Sequence, residues 1–343
     1  MDPIYLVFTD IHLKPINIKQ VKNAIEEIIG ICNSYDINHV FCLGDVFDDR
    51  IAQTQSVLLA WNEIIERFQS EKIEFYVIRG NHDTSDYQLD KTFLKVYGER
   101  SYYHLIDQPY NERILGHDCY FLPFYLDDIL IDELSENLQG KTGFLFGHFA
   151  VQGSKLGSRD IDSTLSRSLF KSFDKVFLGH IHDYFQINEN IFHLGSLFQN
   201  NFGEVPENKG AWIIYDDGSF QNVSIHSGQT YKKITLDVDN LSKKQIETRI
   251  IRSREDNPEC RLRIELQGNK ASLQSFDKSK YSDLGIDFKK KYKEIETEER
   301  NNSNDIKILT MVDIDTKFKA FCEEKDLDYE KGSKILSQVI NQK

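Results

Sequence analysis

The sequence has little of what marks secreted, disulfide-bonded or membrane proteins. Its five cysteines are odd in number, scattered and without a CxxC pair. That pattern favours reduced thiols in a cytosolic chain over a disulfide framework. No apolar run approaches the roughly 20 residues that a membrane-spanning helix needs. The start, MDPIYLVFTD, lacks the basic region and long apolar stretch of a signal peptide. We therefore expect a cytoplasmic protein with no membrane attachment.

Positive charge is scarce over most of the chain. The net charge is −13, and residues 1–230 hold 18 Lys and Arg against 33 Asp and Glu. Residues 231–343 hold the remaining 24 basic and 22 acidic side chains. An acidic body is not typical of a nucleic-acid-binding protein unless metal ions or a partner subunit supply positive charge. The length of 343 residues allows one large domain and a smaller one.

What the sequence does have is a series of short apolar runs, each ending in a polar cluster. The runs cover 4–12, 39–48, 74–83, 143–148 and 175–182. Segments with helical periodicity lie between the first three, at 18–36 and 55–71. This alternation predicts an α/β fold with buried, largely parallel sheet covered by helices. In such sheets, binding groups gather at the carboxyl ends of the strands.

The pattern changes twice along the chain. After residue 185 we expect short strands and turns that complete a first domain spanning 1–230. A strand–helix–strand–helix–strand pattern then predicts a small α+β module at 231–295. The Asn/Glu-rich stretch that follows reads as a linker, 296–312, and the tail 313–343 as amphipathic helices.

Seven side chains able to bind metal lie at the ends of the apolar runs: Asp10, His12, Asp45, Asn81, His148, His180 and His182. The D-x-H and H-x-H spacings place side chains on the same side of a strand, because strand side chains alternate. Oxygen and imidazole donors without thiolate suit Mn²⁺, Fe or Zn²⁺. Seven are too many for one ion. With Asp45 shared they divide into four and four, a two-metal site of the kind used on phosphate esters.

One strand-end histidine by itself is more often an ordinary hydrogen-bonded residue than a ligand. The recurrence of five clusters in order is what indicates a site. For His39, His104, His117 and His226 we keep the ordinary interpretation. A supporting role is left open for His193.

The motifs Asp10-x-His12, GDVFD (44–48), GNHD (80–83), Gly147-His148 and GHIH (179–182) resemble those of the calcineurin-like metallophosphoesterase superfamily. The resemblance covers about the first 185 residues and implies a β-sandwich flanked by helices. It implies two divalent ions, most often Mn²⁺, with Mg²⁺, Fe and Zn²⁺ as alternatives. One ion would be held by Asp10, His12, Asp45 and His182, and the other by Asp45, Asn81, His148 and His180. His82 would be catalytic, hydrogen-bonded and oriented by Asp48, and Asp83 would fix the turn.

The segment 193–212 and the absence of a DRG ending after GDVFD narrow the resemblance to SbcD/Mre-type nuclease subunits and their phage relatives. This implies a Mn²⁺-dependent DNA exonuclease/endonuclease in double-strand-break processing and recombination, in the host cytoplasm if phage-encoded. Residues 231–295 would be a DNA-contacting capping domain, and 313–343 would dock on an SMC-like ATPase. A homodimer would form through 50–70 and 84–100, where Trp61 and Tyr97 are apolar candidates.

Four basic residues are the best candidates for contact with DNA: Arg50, Lys155, Arg159 and Arg167. The loop that holds the last three reads equally well as a solvated surface. Two alternative functions stay open from the sequence. One is a phosphatase or cyclic-nucleotide phosphodiesterase on the same scaffold, favoured by the acidic surface. The other is a subunit whose main role is interaction through its tail.

Overall fold

The computed structural model describes residues 1–85, 91–157 and 159–293, together with residues 318, 319 and 329. The chain divides into two compact units, 1–293 and 294–343. In the second unit, Phe318 and Tyr329 are helical and their ring centroids lie 6.0 Å apart. The predicted linker and the rest of the predicted tail helices lie outside the described residues.

The strands of the first unit alternate with helices in its first half and follow one another more closely in its second. The strands are β1 (Pro3–Phe8), β2 (His39–Cys42), β3 (Glu74–Ile78), β4 (Tyr103–Ile106), β5 (Tyr110–Ile114), β6 (His117–Leu122), β7 (Phe144–Gly147), β8 (Lys155–Leu156), β9 (Arg159–Asp160), β10 (Lys175–Leu178), β11 (Phe185–Gln186), β12 (Ile191–His193), β13 (Ala211–Tyr215), β14 (Phe220–Val223), β15 (Tyr231–Asp237), β16 (Arg261–Gly268) and β17 (Asp287–Tyr292). The α-helices are α1 (Ile18–Tyr35), α2 (Gln55–Ser70), α3 (Asp127–Asp132), α4 (Lys243–Glu255) and α5 (Lys270–Ser275). Three 3₁₀ helices (Phe93–Tyr97, Arg167–Phe170, Lys278–Leu284) and a π turn (Glu133–Asn137) complete the list.

Two six-stranded sheets form the body of the first unit. Their strand orders are β14-β13-β1-β2-β3-β4 and β11-β12-β10-β7-β6-β5. Strands β1 to β4 are mutually parallel, as are β12, β10, β7 and β6. The antiparallel strands β13, β14, β5 and β11 extend the sheets at their edges. The predicted α/β sandwich is thus confirmed, with mixed sheets.

Aromatic side chains pack between the two sheets. In β1, Tyr5 faces this inter-sheet core, while Phe8 faces the opposite core beneath the helices. Phe41 of one sheet and Phe146 of the other have ring centroids 4.8 Å apart. Because the central strands are buried on both faces, their sequences read as continuous apolar runs and not as alternating ones.

Helices α1 and α2 cover the outer face of the first sheet. Their buried stripes include Ile25 and Ile28 on α1 and Trp61 and Phe68 on α2. The suggestion that Trp61 and Tyr97 lie at a dimer interface was wrong, because both are buried in this chain's own core. Tyr97 also donates its hydroxyl proton to the Leu58 carbonyl at 2.9 Å. The apolar pattern of the helix explains the burial of Trp61 without a partner.

A third sheet, β15-β16-β17, begins at Tyr231, next to the predicted domain boundary. Its three strands are parallel. One face packs on α4 and α5 through a separate apolar cluster that includes Ile250, Leu262 and Ile264. Helix α4 starts with a capping box in which Ser242 and Gln245 bond each other's backbone. No helix in the described ranges is both long and apolar enough to cross a bilayer.

Candidate metal centre

All seven predicted ligands follow the carboxyl ends of five parallel strands. Strands β1, β2 and β3 are neighbours in one sheet and deliver Asp10, His12, Asp45 and Asn81. Strands β7 and β10 are neighbours in the other sheet and deliver His148, His180 and His182. Because neighbouring parallel strands end at the same edge, the two sheets bring these side chains to one site.

The strand alternation expected for the D-x-H spacing was wrong. Strand β1 ends at Phe8, so Asp10 and His12 lie in the following loop and not on a strand. Both have positive φ, 55° and 41°, and so do Asp45 (50°) and His180 (76°). Left-handed backbone is uncommon for residues other than glycine and concentrates at functional sites. Local turns, and not strand alternation, therefore aim these side chains.

Four of the ligands form a tight first set. Atoms of Asp10, His12, Asp45 and His182 all lie within 4.8 Å of one another. His12 Nε2 is 3.0 Å from His182 Nε2, and His182 Nε2 is 3.6 Å from Asp10 Oδ1. Asp10 Oδ2 accepts from the Thr9 hydroxyl (2.7 Å) and the His180 main-chain N–H (3.1 Å). Asp10 Oδ1 is buried with no hydrogen-bond partner among the described residues, so its negative end points at the site.

The second set converges on the amide oxygen of Asn81. This Oδ1 lies 3.1 Å from His148 Nε2 and 2.9 Å from His180 Nδ1. Asp45 joins the two sets: its Oδ1 is 3.2 Å from His148 Nε2 and its Oδ2 is 3.5 Å from His12 Nε2. This donor set fits two hard or borderline divalent ions with a shared carboxylate. Imidazole nitrogens facing each other across an unpaired carboxylate oxygen need a cation between them.

Outer partners fix two of the rings. His148 Nδ1 donates to the Leu43 carbonyl at 2.6 Å, which leaves Nε2 for the site. His182 Nδ1 donates to Glu204 Oε1 at 2.8 Å, and Lys209 Nζ donates to the other oxygen of Glu204 at 3.0 Å. Sequence reasoning missed Glu204, because no ligand spacing connects it with His182. The only signal was its place in the family-like segment 193–212.

Burial and charge set the pKa values in the centre. Burial lowers the pKa of His12 and of His180 to about 3, so both rings are neutral at pH 7. Burial also disfavours the charged form of His148, but the Asp45 carboxylate outweighs it and raises the pKa of His148 to about 9. For Asp45, burial is outweighed by His148, and its pKa is held well below the usual range. Burial raises the pKa of Asp10.

The GNHD turn separates three roles. The Asn81 amide faces the second set, whereas His82 Nδ1 donates to the main-chain carbonyl of Asp48 at 2.7 Å. The expected contact between Asp48 and His82 is therefore made by the backbone, and the Asp48 carboxylate accepts from Lys14 Nζ at 2.8 Å. Asp83 accepts from the N–H groups of Phe47 (3.0 Å) and Gly80 (2.8 Å), which fixes the turn.

The candidate DNA-contacting residues lie away from the ligand sets along the chain. Lys155 and Arg159 are exposed on the small ribbon formed by β8 and β9, where Lys155 is 3.9 Å from Asp160. Arg167 starts a 3₁₀ helix, and Arg50 is half-buried after the second motif.

His193, whose role was open, is fully buried behind the ligand motifs. Its Nδ1 donates to the Gly179 carbonyl at 3.1 Å, and its Nε2 is 2.7 Å from the Ser154 hydroxyl. Gly179 comes directly before His180, so His193 supports the backbone of the last motif and does not face the ions.

The arrangement of the site agrees with a match to a known family. The model of the calcineurin-like phosphoesterase family matches residues 5–184, just over half of the chain and all seven ligands. The chain belongs to the calcineurin-like phosphoesterase family. Members of this family are metal-dependent hydrolases, so the two ligand sets have the chemistry that the family requires.

Similar proteins include the SbcD component of the nuclease SbcCD from Staphylococcus epidermidis, 26% identical over 207 residues, and that from Staphylococcus saprophyticus, 26% identical over 202 residues. Each match covers 50% of this chain and 53% of the relative, so the chain spans about half the length of these relatives. Among solved structures, an archaeal phosphodiesterase covers 64% of this chain and 98% of its own at 14% identity and a TM-score of 0.35. The nuclease MPE of Pseudomonas putida covers 64% and 87% at 15% identity and a TM-score of 0.30.

Proposed function

We propose that this chain is a two-metal DNA nuclease that hydrolyses phosphodiesters in double-strand-break processing and recombination, with Mn²⁺ as the preferred ion. The observation that carries the proposal is the convergence of two four-residue ligand sets on one shared carboxylate, Asp45. A histidine that belongs to neither set, His82, lies beside them, its ring centroid 4.8 Å from that of His12. Two metal sites that share a ligand, with a proton donor next to them, suit an in-line displacement at phosphorus.

The residues of this chain divide the work. When bound, the two ions would supply a water of lowered pKa and positive charge for the phosphoryl oxygens. The hydrogen bond from His82 Nδ1 to the Asp48 carbonyl leaves Nε2 as the atom that gives a proton to the departing oxygen. The His82 main-chain N–H donates to Asp45 Oδ1 at 2.9 Å, which fixes the turn to the shared carboxylate.

The charge distribution supports a DNA substrate in one part of the molecule. Residues 231–293 carry 16 Lys and Arg against 10 Asp and Glu, the reverse of the acidic balance in residues 1–230. In the third sheet, Lys233 pairs with Arg263 in register, and neither side chain belongs to the apolar cluster on the other face. A basic module that follows an acidic nuclease body gives a place for the phosphate backbone to bind.

The test uses purified protein, Mn²⁺ and linear DNA. We expect wild-type protein to degrade the DNA and His82→Ala to lose at least about 100-fold in rate, while its Mn²⁺ affinity by calorimetry stays unchanged. His104→Ala is the matched control, because His104 pairs with Glu74 at 2.6 Å outside the ligand sets. Full activity in His82→Ala would show that the catalytic assignment is wrong.

The relatives are components of the two-protein nuclease SbcCD, and this supports a second proposal, about assembly. We propose that residues 313–343 dock on an SMC-like ATPase. Deletion of 313–343 should abolish binding to that ATPase while cleavage of single-stranded DNA with Mn²⁺ continues. Unchanged complex formation would rule out the tail as the docking segment.

A phosphatase or cyclic-nucleotide phosphodiesterase is the second candidate, favoured by the 33 acidic against 18 basic residues in 1–230. Hydrolysis of small phosphate esters together with no cleavage of DNA, even with the ATPase present, would select this candidate over the nuclease.

A further inference from the structure

The segment 199–209 connects the metal centre with the third sheet. It follows β12 and precedes β13, and it has no regular secondary structure. Some of its contacts fall on ligands of the first set, and others fall on β15 and β16. Neither the family match, which stops at residue 184, nor the sequence motifs assign a role to it.

Glu204 is the residue through which the segment reaches His182. Its side chain is only 6% exposed, and both of its oxygens accept hydrogen bonds. Oε1 accepts from His182 Nδ1 (2.8 Å) and Asn201 Nδ2 (2.7 Å), while Oε2 accepts from the Asn200 N–H (2.9 Å) and Lys209 Nζ (3.0 Å). A carboxylate bonded this completely has one orientation. It therefore directs His182 Nε2 towards the other ligands of the first set.

The same segment holds a second ligand of that set. Asn200 Nδ2 donates to the main-chain carbonyl of Asp10 at 2.8 Å. Asn200 is 8% exposed and its own N–H is bonded to Glu204. Asp10 and His182 are thus both tied to neighbouring residues of one loop, and both belong to the first set of ligands.

The other side of the segment packs on the third sheet. The ring of Phe202 meets Tyr231 edge-on at 4.8 Å between centroids, and the Arg263 guanidinium lies 4.0 Å from the Phe202 ring centre. Gln199 Oε1 accepts from the Tyr231 N–H at 3.0 Å, while Gln199 Nε2 donates to the Glu204 carbonyl at 3.0 Å. Phe202 is two residues from Glu204, so a shift of the sheet is felt at the carboxylate.

We propose that Glu204 is a positioning residue for His182, and that the segment 199–209 couples the affinity of the first metal set to the position of the module formed by residues 231–293. A ligand that fixes this module would strengthen metal binding at the first set, and metal at that set would strengthen binding of the ligand by the same factor. The inference rests on the proposed two-ion centre but not on DNA as the substrate.

The first test is calorimetric titration of the full chain with Mn²⁺. We expect two binding steps for wild type, and for Glu204→Gln a loss of about 10–100-fold in one step with the other unchanged. Glu74→Gln is the matched control, since Glu74 also bonds a histidine, His104, but outside the centre. Melting temperatures check that each variant is folded.

The outcomes separate the two proposals. Absence of Mn²⁺ binding in wild type would overturn the proposed two-ion centre itself. Two steps in wild type that are both unchanged, or both weakened equally, in Glu204→Gln would overturn the positioning role alone, because a general loss of structure would not select one step.

The second test addresses the coupling. Phe202→Ala and Arg263→Ala should each weaken the same step by about fivefold or more. Neither should weaken it further in the Glu204→Gln background. Arg263 also pairs with Asp287, so Asp287→Asn controls for loss of that ion pair. Arg113→Ala, which removes an exposed pair with Asp118, is the distant control. Unchanged Mn²⁺ affinity in Phe202→Ala and Arg263→Ala would overturn the coupling.

Discussion

The Nε2 atoms of His12 and His182 face each other at 3.0 Å, with the unbonded Oδ1 of Asp10 beside them. Without a cation, the site keeps a buried carboxylate oxygen unsatisfied, which costs free energy. Mn²⁺ should therefore stabilise the fold, by about 2.7 kcal/mol at about 100 times its dissociation constant. Thermal melting of protein stripped with a chelator, with and without Mn²⁺, measures this.

Asp10→Asn provides the control for that effect. It removes the negative charge that attracts the ion, so most of the Mn²⁺-dependent rise in melting temperature should disappear. The chelated variant should melt no lower than chelated wild type, because burial already raises the pKa of Asp10 and disfavours its charge. An equal rise with Mn²⁺ in both proteins would contradict the assignment of Asp10 as a ligand.

Metal binding should depend on pH through His148. Its pKa is raised to about 9 by Asp45 despite burial, so below pH 9 a proton occupies the ring. A metal ion must displace this proton, so affinity should fall as the pH drops from about 9 to about 6. The sign for stability is opposite. A histidine with a raised folded pKa stabilises the metal-free fold fully below about pH 6.5, and this contribution is lost as the pH rises through about 9.

Calorimetry in two buffers of different ionisation enthalpy tests the proton release. The apparent enthalpy of Mn²⁺ binding at pH 7 should change with the buffer, because about one proton leaves per chain. For His148→Asn we expect weaker binding without that dependence on the buffer. Identical enthalpies for wild type in both buffers would show that His148 is already neutral.

Gly80 allows the closest approach of two motifs. A Cβ at this position would lie 2.2 Å from both the main-chain nitrogen and Oδ1 of Asp45. Gly80→Ala should therefore displace the shared carboxylate and abolish tight binding of both ions. Gly30 in α1 has open space around it, so Gly30→Ala should leave Mn²⁺ affinity unchanged and stabilise the helix by about 0.5–1 kcal/mol. Retained affinity in Gly80→Ala would mean that the turn can move without loss.

The sequence was sufficient to propose the ligands but not to explain how they are aimed. All seven lie in short local motifs that end apolar runs, and such motifs are visible without the fold. The positive φ of Asp10 and His12 was not visible, because it is set by turns that hydrogen-bond to the next motif, at Gly44 and Asp45. Glu204 lies 22 residues beyond His182, so only the fold joins them.

The strands β4, β5 and β6 were also missed, for a physical reason. Two of them, β4 and β5, are edge strands with exposed or half-buried positions, so they lack the continuous apolar run that marked the central strands. The burial of Trp61 shows the opposite error. Its periodic position on α2 already predicted a core residue, and its large apolar surface was not evidence for a partner.

The ribbon formed by β8 and β9 should contribute to DNA affinity through charge alone. Removal of one phosphate contact should reduce the slope of log affinity against log salt by about 0.9 for duplex DNA. The double variant Lys155→Ala/Arg159→Ala should thus lower the slope by about 2 without a change in sequence preference. Substitution of the exposed Lys141 is the control. An unchanged slope would place the ribbon away from DNA and leave it as solvated surface.

The expected homodimer can be tested on the outer surface beside α2. Leu59 is 53% exposed and Val96 is 67% exposed, whereas Trp61 is fully buried. We propose that the exposed pair, and not the buried aromatic side chains, contacts the second copy. Leu59→Asp should shift the protein to a monomer in analytical ultracentrifugation with little change in melting temperature. Trp61→Ala should instead destabilise the fold by about 3–5 kcal/mol. A dimer that persists in Leu59→Asp and Val96→Asp would require a different interface, because a buried aspartate at a packed contact cannot be accommodated without a partner charge.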